Sequence, residues 1–137
     1  MELLRDVETD EAAARPVAAA HSIWELVSHA TAWSRFVERR LQGEDYKMTE
    51  AENFPAVADV SESAWEECRR TLVAVNEAVR ERILGLDESQ LGDIVDSEEG
   101  KKFTVYVLLH GLVQHNLYHA GQIALLKRAL RGRTQSA

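Results

Sequence analysis

Apolar residues recur at helical spacing in three long stretches of the chain. From Ser22 to Leu41, the residues Ile23, Leu26, Val27, Ala30, Trp33, Val37 and Leu41 fall three or four apart and predict an amphipathic helix. Gly43 follows as its stop signal. A second helix is predicted to begin at Ser63, with Glu66 three residues on in a capping-box pattern, and to continue through Trp65, Cys68, Leu72, Val75, Val79, Ile83 and Leu86. A third runs from about Thr104 to Leu130 and ends among Lys127, Arg128, Arg131 and Arg133, cations that complement the negative end of a helix dipole.

Pro16 and Pro55, the two prolines, fall between these stretches and mark linkers. Polar connections of about Gly43 to Glu62 and Asp87 to Lys102 are long enough to cross a bundle end or drape over a pocket mouth. Ahead of Pro16, Leu3, Leu4 and Val7 read as the end of one more helix, and Thr9, Asp10 and Glu11 as the cap of a short turn. No Asn-Gly or Asp-Gly hairpin turn occurs, and the β-branched residues sit inside helical periodicity. The expectation is one all-α domain over residues 1–137. A four-helix bundle needs four comparable staves, so the short start calls for an incomplete edge or a partner subunit.

The chain of 137 residues carries a net charge of -7, which opposes binding to nucleic acid or anionic lipid. The lone Cys68 cannot build a disulfide framework, and the charged stretch Met1 to Asp10 lacks the apolar run of a secretory signal; a cytoplasmic location is expected. From Phe103 to Leu126, 24 residues pass without Asp, Glu, Lys or Arg. His110, His115, His119, Gln114, Gln122 and Asn116 make that stretch a poor membrane span. It reads better as a helix buried in an interior or at a subunit interface, with Gly111 and Gly121 expected at close helix contacts.

The candidate chemistry lies in that helix. His115 and His119 are four apart and share a stripe with Leu108, Leu112, Gln122 and Leu126, the face expected to pack inward. Buried imidazoles need partners, and a metal ion satisfies them. His29, beside Trp33 and Phe36, is the natural third ligand, whereas His21 precedes its helix and His110 lies opposite the stripe. Three neutral imidazoles suit zinc or nickel and leave positions open for water or substrate. The plain alternative is a metal-free helical bundle with packed histidines. Di-iron chemistry of the Glu-x-x-His type is excluded, since no glutamate stands three residues before any histidine, and His-Glu-x-x-His is absent. Cys68 reads as a small buried hydrophobe, Trp24, Trp33 and Trp65 as packing anchors, and Glu25, one turn from His29, as either a solvated surface carboxylate or the partner of that imidazole's other nitrogen. Glu25, Gln122 and Tyr118 stay open as candidate acid or base groups.

The run His21-Ser-Ile-Trp-Glu-Leu-Val-Ser-His29-Ala-Thr-Ala-Trp33, taken with His110-Gly-Leu-Val-Gln-His115-Asn-Leu-Tyr-His119-Ala-Gly-Gln-Ile123, resembles the DinB-like (DinB/YfiT-like) superfamily of small helical-bundle metalloproteins. The resemblance extends from about Leu3 to Leu130. It implies a four-helix bundle, often a homodimer, with a metal held by one histidine of the second helix and two of the last, here His29, His115 and His119. Similar proteins include metal-dependent transferases and isomerases that use low-molecular-weight thiols such as mycothiol or bacillithiol. The departure is a first helix of only about seven residues. Two functions follow as expectations. One is a metal-dependent enzyme acting on a small molecule; the other is a non-catalytic metal-binding or ligand-sensing dimer.

Overall fold

The structure, a computed structural model, describes residues 2–96 and 102–134. The tip of the second connection, the chain ends and the Arg133 side chain, all invoked above, lie outside the described residues. A 3-10 turn at Glu2–Leu4 and the short α1 (Thr9–Ala13) lead into α2 (Ile23–Leu41), α3 (Glu50–Asn53) and α4 (Glu62–Leu84). A second 3-10 turn (Glu88–Gly92) and a hairpin of β1 (Ile94–Asp96) and β2 (Lys102–Thr104) precede α5 (Val105–Thr134). The fold is all-α in its core, as expected.

Each long helix starts where a side chain takes up a free backbone N–H. At α2, Ser22 Oγ accepts from Glu25 N at 3.2 Å while Glu25 Oε2 accepts from Ser22 N at 2.7 Å, a reciprocal capping box. The helix stops ahead of Gly43, whose φ of +82° suits a residue without Cβ. α4 begins two residues before the predicted start: Ser61, not Ser63, is the cap, accepting from Ala64 N at 3.3 Å, and the helix ends before Gly85. The hairpin corrects the strand-free expectation. Its strands pair antiparallel, Ile94 with Thr104 and Asp96 with Lys102, and Val105 N donates to Asp93 O at 2.9 Å to dock it on α5. Three-residue strands are too short to display a period of two.

α2 packs against both α4 and α5. The apolar core falls into two clusters. One gathers Leu4, Val7, Ala12, Ile23, Trp24, Leu26, Val27, Trp65, Ile123 and Leu126; the other centres on Val37, Val79 and Leu112, with Trp33, Phe36 and Leu108 beside them. His29 on α2 and His115 and His119 on α5 lie between the two clusters in sequence along each helix, a polar layer in the middle of the bundle.

The short start fills one end of the fourth-stave position. Leu4, Val7 and Ala12 join the first cluster, and Trp65 Nε1 donates to Val7 O at 2.9 Å. Lys127 and Arg131 of α5 pair with Asp6, and Arg131 also with Glu11, holding both carboxyls below their usual range. The rest of that position is open. Tyr106, Val107, Val113, Leu117, Tyr118 and Leu125 of α5 are exposed, so within one chain α5 is buried on one face only. Gly111 and Gly121 lie on the open face, where an added Cβ meets nothing within 4 Å; the expected close helix contact is not made among the described residues.

Candidate metal centre

Antiparallel packing of α2 on α5 brings all three predicted histidines together. His115 Nε2 stands 3.0 Å from His29 Nε2 and 3.1 Å from His119 Nε2, and one donor atom from each of the three rings lies within 4.8 Å of the others. Ligands at about 2.0–2.1 Å from a tetrahedral zinc stand roughly 3.3 Å apart, so the spacing fits one ion.

The second nitrogens decide the protonation. His29 Nδ1 donates to the backbone carbonyl of Asn53 at 2.7 Å, and His119 Nδ1 donates to Gln122 Oε1 at 2.7 Å. A neutral imidazole carries one N–H, so Nε2 of both rings is a bare lone pair. His115 can offer one proton to only one of them. Its own Nδ1 is buried without a hydrogen-bond partner among the described residues. Whatever its tautomer, at least one lone pair faces another. Burial first, then the neighbouring imidazoles, pushes His115 down to about 4, and burial likewise lowers His29. At neutral pH His29 and His115 are uncharged and ready to ligate, and a cation among the three Nε2 atoms resolves the conflict.

The surrounding shell comes largely from the first connection. Thr49 and Glu52 form a capping box that starts α3, and this turn delivers Asn53 and Phe54 to the site. Asn53 Oδ1 accepts from Trp33 Nε1 at 3.0 Å while its carbonyl holds His29. Phe54 stacks on His29, centroids 3.9 Å apart, and His21 stacks on Phe54 at 4.1 Å. His21 thus contributes at one remove, and His110, exposed beside Tyr106, is away from the cluster.

Glu25 is not the partner of His29. Its carboxylate is committed to the Ser22 cap and to Arg15, and the Asn53 carbonyl takes the place the sequence reading gave it. A backbone acceptor leaves no mark in sequence, but the Thr49-x-x-Glu52 signature that builds α3 was readable. Gln122 orients His119 and donates to Tyr118 Oη at 3.1 Å. Cys68 is largely buried, its Sγ 3.6 Å from Ser28 Oγ, and burial pushes its thiol up, away from nucleophilic use.

With this geometry in place, the sequence comparisons agree with the fold. The profile of the DinB superfamily matches residues 1–123, and the chain belongs to that family. A conserved protein from Enterococcus faecalis, known from its crystal structure, superposes with a TM-score of 0.73 over 96% of this chain and 88% of its own, at 20% identity. That likeness speaks for the fold alone. Comparison with curated proteins gives no match.

Proposed function

We propose that this chain is a divalent-metal-dependent enzyme acting on a small molecule, with zinc or nickel held by His29, His115 and His119. In the version we put first it is an S-transferase that uses a low-molecular-weight thiol, or a related hydrolase or isomerase. The observation that carries this reading is the convergence of three Nε2 atoms while two of the Nδ1 hydrogens are committed elsewhere. A divalent ion there supplies a Lewis acid, lowering the pKa of a bound water or thiol or polarising a carbonyl.

The chain's own residues supply the rest. Asn53 and Gln122 fix two rings through Nδ1, the outer-shell bonding that raises ligand basicity. Trp33 and Phe54 cover the rings and keep water from one side. Gln122 faces His119 Nδ1 and does not act as a fourth ligand, which supports open positions for substrate. Of the three groups left open as acid or base, Glu25 is tied to its cap and Gln122 has no transferable proton, so Tyr118, its ring 5.1 Å from His119, is the candidate at the rim. The setting we infer is cytoplasmic, in keeping with the unpaired Cys68; no helix among the described residues is long and apolar enough to cross a membrane.

One observation favours a second reading, a metal-binding or ligand-sensing homodimer without turnover. The uncharged face of α5 through Val113 and Leu117 is the kind of surface a second copy covers. Zinc- or nickel-loaded protein, given a panel of low-molecular-weight thiols and an electrophilic bimane probe, separates the two. Consumption of the probe that is lost in His115→Ala supports the enzyme; no consumption with any thiol favours the sensor.

A further inference from the structure

Arg40 is the most deeply buried cation among the described residues, 4% exposed, in the last turn of α2. Among the described residues only its Nη1 has a hydrogen-bond partner, a long 3.4 Å contact to the exposed Asp45 carboxylate. Nε and Nη2 are shut away from solvent and have none. These two nitrogens are the adjacent pair on one edge of the guanidinium, whose parallel N–H groups grip both oxygens of a carboxylate. A buried charge with an idle fork costs stability unless an anion completes it.

Its position says which anion. His29, Trp33, Phe36 and Arg40, spaced four, three and four, share one face of α2. The rings run in contact from the metal centre towards the guanidinium: His115 to Trp33 at 5.2 Å, Trp33 to Phe36 at 5.4 Å, and Arg40 over Phe36 at 5.2 Å. Trp33 and Phe36 are half-buried. Eleven residues of helix rise about 16 Å, a gap that the backward lean of a long side chain shortens.

We propose that Arg40 is a substrate-recognition residue that binds the carboxylate of an elongated small molecule whose reactive end lies at the three histidines and whose apolar middle lies along Trp33 and Phe36. This rests on the function proposed above and names its substrate class. A monoanion fits a single guanidinium already touched by Asp45, whereas a phosphate dianion calls for a second cation. The fork is shut away from solvent, so binding a carboxylate there requires a neighbouring side chain to move.

The test is the Arg40 Nε–H resonance of the full chain, assigned by its loss in Arg40→Met, with and without zinc. The probes are octanoate, 8-mercaptooctanoate and 8-mercaptooctanol. The carboxylates are expected to move this resonance downfield saturably and the alcohol to leave it in place. 8-Mercaptooctanoate is expected to bind at least about tenfold more tightly than the alcohol, an advantage lost in Arg40→Met. Arg40→Met removes an uncompensated buried charge and is expected to melt above wild type; should it not fold, Arg40→Lys, which keeps the charge without the fork, carries the same comparison. Equal binding of acid and alcohol, an unmoved resonance, or an equal response to chloride overturns the proposal. A response to octanoate in a chain that takes up no metal keeps Arg40 as a carboxylate site and removes the metal reading; metal uptake with a silent Arg40 overturns this proposal alone.

Discussion

His29 and His115 present their Nε2 atoms to each other across 3.0 Å, although the Asn53 carbonyl has already claimed the only hydrogen a neutral His29 carries. The same holds for His119, whose hydrogen goes to Gln122. Two acceptors, His29 Nε2 and His119 Nε2, compete for the single proton of His115, and a cation is the simplest partner for all three rings.

If this shell holds the ligands, weakening it lowers metal affinity without removing a ligand. Gln122→Leu is expected to weaken zinc binding by about 10–100-fold with the helix content unchanged. Asn53→Ala strands Trp33 Nε1 and is expected to cost about 1 kcal/mol of stability as well. Competition titration against a chromophoric chelator measures the affinity, and urea denaturation the stability. Wild-type affinity in Gln122→Leu would falsify the orienting role.

Acid destabilises the metal-free chain through the same rings. His29 and His115 are held below the ordinary 6.5, His115 at about 4. Between those values the unfolded chain takes up protons that the folded chain refuses, so stability is full above about pH 6.5 and falls as the pH drops towards 4. Asp6 and Glu11 add losses only below their own ordinary values of 3.8 and 4.5, a separate window. Urea midpoints of metal-free protein from pH 7 to 5 are expected to fall, and to fall less in His115→Gln. A flat or rising midpoint contradicts this account.

The open α5 face makes an independent prediction. Leu117 is 68% exposed on a stripe without charges. Leu117→Arg is expected to convert a dimer into a monomer in sedimentation experiments while leaving the circular dichroism spectrum intact. Wild-type protein that sediments as a monomer at micromolar concentration removes the proposed homodimer.

Much of this was legible because the determining signals are local. Ser22, Glu25 and Gly43 bracket α2 in plain sequence, and the four-residue spacing of His115 and His119 with their leucine stripe points both rings inward. His29 was reachable because its neighbours Trp33 and Phe36 mark the same face. What escaped was set by tertiary contact. The backbone carbonyl of Asn53 has no sequence signature, so Glu25, one turn from His29, was the one partner the residues offered beside a plain surface role. Ser61 and Ser63 both offer a hydroxyl ahead of Trp65, and only the folded backbone chooses Ser61. Gly111 and Gly121 looked like contact residues, yet they lie on the face of α5 that nothing among the described residues covers.

The central claim is that His29, His115 and His119 together hold one divalent ion. Elemental mass spectrometry on protein purified without a histidine tag or added metal, alongside His29→Ala, His115→Ala and His119→Ala, tests it most directly. The expected result is close to one zinc or nickel per chain in wild type and its loss in each variant. Metal-free wild type that also takes up neither ion on titration contradicts the claim and leaves three packed imidazoles in a helical bundle.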